Sequence, residues 1–197
     1  MDTVLASPEH LVAFLIAVCF AAGLNVYGTV AMLGLVSKGG WVVLPGDLAI
    51  VQSWWVIGLC LVLFAVEFLA DKVPIVDLVW NTVQTFVRVP IAGLLAYGAL
   101  PELPPGWQLA AGLAGSLVGL VAHVAKTAMR TAVTASPEPA SNIALSIAED
   151  TFALTIVWFA TQYPYVAATL VLVAMVSVVV IVRWLRALVR RVRHGRP

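Results

Sequence analysis

Most of the ionisable residues that interrupt the apolar stretches of this chain are Glu67, Asp71, Asp77, Arg88, His123, Lys126, Glu149 and Asp150. Each charge near the centre of a bilayer costs at least ~2.5 to 3.5 kcal/mol on insertion scales, so several together must be paired, hydrated or functional. Their spacing is helical. Asp77, Asn81, Gln84 and Arg88 follow i, i+4, i+7, i+11; His123, Lys126 and Arg130 follow i, i+3, i+7; Asn142, Ser146, Glu149 and Asp150 follow i, i+4, i+7, i+8. Each set shares one helix face. Glu67 with Asp71, and Asn25 with Thr29, add shorter stripes. Five helices are therefore expected to turn polar faces towards a common interior.

The chemistry this suits best is transport of a small ion or metabolite, with Glu67, Asp71, Asp77, Asn81, Arg88, His123, Lys126, Arg130, Asn142, Ser146, Glu149 and Asp150 as binding or coupling residues. Carboxylates and an imidazole in a low dielectric can exchange protons near neutral pH, which allows proton coupling. No cofactor is required. Glu67, His123, Glu149 and Asp150 would suit a divalent cation, since hard oxygen ligands and one imidazole can complete a site. Lys126 argues against a bare cation, and an anion held by Lys126, Arg130 and Arg88 stays open. Two other classes stand beside transport. An intramembrane enzyme or lipid-handling protein could pair Ser146 with His123, although one Ser and one His specify neither an oriented base nor an oxyanion site. A structural protein would use the opposite charges to lock the bundle, with Gly23, Gly28, Gly112, Gly115 and Gly119 making either a homo-oligomer face or close internal packing.

Elements able to position these residues follow from composition. The 197 residues are 62% hydrophobic and 11% charged, with a mean hydropathy of +1.02. A water-soluble chain has too little polar surface at that composition. The apolar runs are continuous and not alternating, so an all-α, polytopic membrane bundle is predicted and a β-barrel excluded. A crossing takes roughly 20 residues, and six fit: about His10 to Val36, Val51 to Ala70, Pro74 to Leu100 with an interruption at Pro90, Gln108 to Ala132, Asn142 to Thr161, and Tyr165 to Leu185. Some are expected to be Pro-broken or re-entrant. Residues 1–185 form one transmembrane domain and 186–197 a basic tail. Cys19 and Cys60 lie inside apolar runs and make no disulfide framework.

Six of the eleven cations, Arg183, Arg186, Arg190, Arg191, Arg193 and Arg196, lie in the last fifteen residues. Because they follow an apolar span, they read as a cytoplasmic anchor against anionic lipid and not as a nucleic-acid site. An even number of crossings would then place both termini in the cytoplasm, in a bacterial inner membrane. Trp41, Trp54, Trp55, Tyr97, Trp107, Trp158, Tyr163 and Tyr165 fall near the outer ends, as interfacial rings prefer. From the rise per residue, Glu67, Lys126, Glu149 and His123 lie about 7 to 15 Å from the inner boundary and can meet; Arg88, at about 20 Å, reaches Glu149 or Asp150 only through a tilt or a bend at Pro90. Ala21-Ala22-Gly23-Leu24 recurs as Ala110-Ala111-Gly112-Leu113, and Glu67 with Asp71 is echoed by Glu149-Asp150, suggesting inverted repeats over about 10–100 and 106–185.

The run from Phe64 to Asp77 (FAVEFLADKVPIVD), the segment from His123 to Arg130 (HVAKTAMR) and the run from Ser136 to Asp150 (SPEPASNIALSIAED) resemble an uncharacterised bacterial membrane family, domain of unknown function 4126. The likeness covers most of residues 15–160. It implies a small inner-membrane protein with those polar segments as signature, and supplies no activity. A slighter likeness is to cation exchangers with paired Glu-x-Gly-Asp-Lys/Arg motifs. Here the first motif is Glu67-Phe68-Leu69-Ala70-Asp71-Lys72, one residue too long and without its glycine, and the second is only Glu149-Asp150-Thr151.

Overall fold

Prolines punctuate the chain. In the computed structural model, which describes residues 7–134 and 139–194 and leaves out the side chains of 74, 75, 77, 78, 132–134, 139, 142, 182 and 185–194, they start helices as well as separate them. The described residues form seven α-helices, α1 (Pro8–Leu24), α2 (Val26–Lys38), α3 (Trp54–Ala70), α4 (Pro74–Gly98), α5 (Pro105–Thr134), α6 (Pro139–Gln162) and α7 (Pro164–His194), with one 3-10 helix, Gly46–Gln52, before α3. Five of the seven begin on proline, where the missing N–H would have been unbonded anyway. Sequence boundaries that treated Pro105, Pro139 and Pro164 as loop therefore fell one to three residues inside the true starts.

The stretches Pro105–Thr131, Ile143–Gln162 and Pro164–Ile181 are long and apolar enough to cross a membrane, and the 3-10 helix with α3 makes a fourth, bent by 68°. This is a membrane-embedded helical protein. Gly46 sets that bend's approach: its φ is 56° and an added Cβ would meet Pro101 and the Gly98 carbonyl. A side chain there would be both strained and blocked.

The first expected crossing is not one helix. His10 to Val36 divides at Asn25, a single extended residue (φ −149°, ψ 99°) between α1 and α2. The two arms point back to the same end of the bundle. His10 packs on Tyr165 with ring centroids 4.7 Å apart, Val12 and Leu15 lie beside Leu100 and Ala111, and Trp41, just beyond α2, packs edge-on against Trp158 at 5.1 Å. Between these contacts, Asn25 reaches Asp150 at the middle of α6. Helices α1 and α2 thus form a V whose tip is buried. The end holding the V's opening also carries Trp107, and the opposite end carries Lys72. Because α7 starts beside His10 and runs about 46 Å, the start of α1 and the end of α7 lie at opposite ends. The expectation of both termini in the cytoplasm rests on residues 1–6 and 195–197, which lie outside the described residues.

Three further expectations change. Pro90 lies inside an unbroken α4; a buried bundle tolerates the one lost backbone bond. The segment read as a separate tail continues α7 as helix to His194. The paired Ala-Ala-Gly-Leu runs are both helical, but α1 breaks directly after Leu24 whereas α5 continues unbroken past Leu113.

Helix α1 sits at the centre, with nearly every residue from Ala13 to Leu24 buried. Close approach makes this possible. A Cβ on Gly23 would strike the Gly119 carbonyl of α5, and one on Gly115 would lie 2.6 Å from Ala96 Cβ and 3.0 Å from Cys19 Sγ. The glycines that could have formed an oligomer face are used inside one chain. By contrast α3 buries only Ile57, Cys60 and Glu67 fully.

Candidate functional site

The V's tip exposes two helix ends to the interior of the protein. The last carbonyls of α1 and the first amides of α2 lack helical partners there and carry partial charges of opposite sign. Asn25 closes part of this gap: its N–H donates to Ala21 O at 2.8 Å, its Oδ1 accepts from the Gly28 N–H at 2.8 Å, and its Nδ2 donates to Asp150 Oδ1 at 2.8 Å. Lys126 Nζ donates to Leu24 O, the last carbonyl of α1, at 3.1 Å. A cation therefore meets the negative end of α1, and a carboxylate stands at the start of α2, the arrangement the helix dipoles favour.

Around the tip, α3, α4, α5 and α6 contribute a buried ion-pair cluster. Lys126 Nζ lies 3.3 Å from Glu67 Oε1, 3.2 Å from Asp71 Oδ2 and 3.9 Å from Glu149 Oε2. Arg130 joins the same acids from nearer the Lys72 end. Its Nε and Nη2 donate to Glu149 Oε2 at 2.8 and 2.6 Å, Nη2 also to Asp71 Oδ2 at 2.8 Å, and Nη1 to the Asp71 backbone carbonyl at 2.9 Å. On the other side, Arg88 Nη2 pairs with Glu67 Oε1, while Nη1 donates to Asn81 Oδ1 at 3.1 Å and to His123 Nδ1 at 3.0 Å. Since that nitrogen accepts, the imidazole proton sits on Nε2, 2.7 Å from Thr85 Oγ1, whose own hydroxyl donates to Asn81 O. His123 is neutral in this pattern. Beyond Arg88 on the same face of α4, Gln84 Nε2 donates to the Tyr27 hydroxyl at 3.0 Å.

The structure brings most of these sequence-selected groups together. Glu67, Asp71, Asn81, Arg88, His123, Lys126, Arg130, Ser146, Glu149 and Asp150 are all buried, and Glu67, Lys126, Glu149 and His123 belong to one cluster. The side chains of Asp77 and Asn142 lie outside the described residues. Arg88 is placed differently from expectation: it turns towards Glu67 and never needs Glu149 or Asp150. The proposed metal set is not assembled, because Glu67 and Glu149 spend oxygens on Arg and Lys, and His123 uses both ring nitrogens. Among the described residues, no group of three or more His, Cys, Asp or Glu is arranged to hold a metal ion. Nor does Ser146 meet His123, so the nucleophile and base pair does not form. Thr85, Tyr27 and the Leu24 carbonyl were missed; the first two are ordinary polar residues in apolar runs, and the third carries no side-chain signal.

The cluster is incompletely satisfied. Among the described residues, Glu67 Oε2, Asp71 Oδ1, Glu149 Oε1 and Asp150 Oδ2 are buried with no hydrogen-bond donor. Among the described residues, four carboxylates face three cations and Asp150 has no cation within salt-bridge distance. Buried charge of this kind costs several kcal/mol per ion unless compensated. A hydrophobic core would hold the helices more cheaply.

A family model for a domain of unknown function matches residues 12–184. The chain belongs to that family, domain of unknown function 4126. No curated protein and no solved structure matches it. The family match runs through the V, the cluster and most of α7.

Proposed function

We propose that this member of the family moves a small ion or metabolite across a membrane, past the tip of the V and the carboxylates around it. In this reading α3 to α7 cross the bilayer and α1 with α2 form a re-entrant hairpin. The Lys72 end, to which the Arg-rich end of α7 belongs, faces the cytoplasm, and the membrane is the inner one. The observation that carries the reading is the buried helix break at Asn25 against Asp150. Non-helical backbone at membrane depth is tolerated where it is enclosed in protein or lines a path, and paired half-helix ends at mid-bundle are how several transporter folds hold charged solutes. Asp150 is the coupling carboxylate: it is held by an amide and not by a cation, so it can gain or lose a proton without breaking an ion pair.

Reconstitution tests this. Proteoliposomes holding an internal pH dye are challenged with gradients of Na⁺, K⁺, Mg²⁺, phosphate and small carboxylates. The wild-type chain is expected to couple at least one gradient to a pH change, and Asp150→Asn to remain folded with that flux lost. Vesicles tight to every gradient, or wild-type flux in Asp150→Asn, would overturn the proposal. A second reading has one observation in its favour: Arg88, Lys126 and Arg130 each pair with acids on another helix. A purely structural lock would give stability losses on neutralisation with no flux at any stage.

A further inference from the structure

Above the cluster, towards the Trp107 end, lies a cavity of about 630 Å³ between α2, α3, α4 and the 3-10 helix. Its size is that of a pocket for a drug-sized molecule. The wall is almost wholly aliphatic, with Val30, Val51, Leu63, Ile91 and Leu95 among its residues, and polar atoms enter at few points. The Tyr27 ring bounds it on the cluster side. Asp47 stands at the opposite, interfacial end beside Gly98, and Tyr97 borders the cavity with its side chain facing Gly112 of α5. Leu59, Leu94 and Ile50 line the cavity and are also 60%, 64% and 70% exposed, so its mouth opens sideways between α3 and α4 into what would be hydrocarbon.

We propose that this cavity binds an amphiphile from the bilayer, with its hydrocarbon chain among the aliphatic residues and a cationic ammonium head against Asp47. An apolar enclosure in lipid is filled by a chain and not by water, since water needs two to four polar partners. The head is selected by charge: Asp47 is the acidic residue of the lining, and a charge-assisted hydrogen bond to it favours an ammonium. An anionic head would meet Asp47 unfavourably. Binding here is independent of the translocation reading, because it requires no movement through the cluster.

The native cysteines provide the assay. Cys60 lines the cavity. Cys19 is packed in α1 with its Sγ donating to Ala92 O at 3.2 Å, which makes it an internal reference. The full chain in nanodiscs is alkylated with N-ethylmaleimide in the presence of dodecylamine, dodecanol or dodecanoate at equal mole fraction, and retained amphiphile is counted by native mass spectrometry. Dodecylamine is expected to be retained and to slow Cys60 alkylation, and in Asp47→Asn its affinity falls roughly tenfold, the effect of losing one charge-assisted hydrogen bond. Asp47 is exposed, so this variant folds. Equal retention of all three amphiphiles would mean that the cavity takes a chain without reading the head. That result, no retention, or unchanged dodecylamine affinity in Asp47→Asn would each overturn the proposal.

Discussion

Helix α5 is held in two different ways along its length. Its half near Trp107 presents Gly112, Gly115 and Gly119 to α4 and α1, where a Cβ on Gly115 or Gly119 would lie 2.6 Å from an alanine Cβ of α4. Its half near Lys72 presents Lys126 and Arg130 to acids of α3 and α6 and to the carbonyl end of α1, and His123 to Arg88 and Thr85 of α4. The first contact is set by shape and has one solution. The second is set by charge, and its strength changes whenever a carboxylate is neutralised. A bundle that needed only stability would extend the glycine packing, because small residues associate membrane helices without desolvating ions. The contrast assigns anchoring to one half and adjustable interactions to the other.

Substitution can break the comparison at either end. The largest effect is expected from Gly115→Leu: the added atoms run into Ala96 and the Ala92 carbonyl, and backbone cannot yield, so folded protein should be lost, as size-exclusion chromatography in detergent would report. Gly58→Leu, on the open side of α3 with nothing within 4 Å of its Cβ, is the matched control and should behave as wild type. Next comes Lys126→Met, which leaves Glu67 to Arg88 alone, Asp71 to Arg130 alone and the Leu24 carbonyl without its cation. It should cost about 3 to 5 kcal/mol in denaturant unfolding, and adding Glu67→Gln should recover part of the loss. If Lys126→Met were as stable as wild type, charge would not be holding the lower half. The smallest effect is expected for Asp150→Asn, within about 1 kcal/mol, because one hydrogen bond to Asn25 is exchanged for another and no ion pair is broken. A loss as large as that of Lys126→Met would instead make Asp150 part of the lock.

Much of the cluster was legible in the residues because helical periodicity is local. Asn81, Gln84 and Arg88 share a face by arithmetic alone, and so do His123, Lys126 and Arg130. The partners were less legible. Arg88 was placed too deep to meet the other charges because depth was counted at the Cα, whereas its long side chain runs back along α4 towards Glu67. The V was hidden for a different reason. His10 to Val36 is uniformly apolar, no proline marks the break, and Asn25 with Thr29 looks like any short polar stripe. Only the neighbours of each arm, Tyr165 and Leu100 for α1 and Trp158 for α2, reveal that the chain turns back.

From its residues alone this protein is committed to a membrane and to helices, since so apolar a chain must satisfy its backbone internally, and to a polar interior, since its charges recur at helical spacing. Which cation meets which acid, that α1 and α2 fold back towards the same end of the bundle, and that one carboxylate is left to an amide are decided by tertiary contacts between residues up to 125 positions apart. Periodicity determines the face a side chain occupies; only packing determines what stands opposite it.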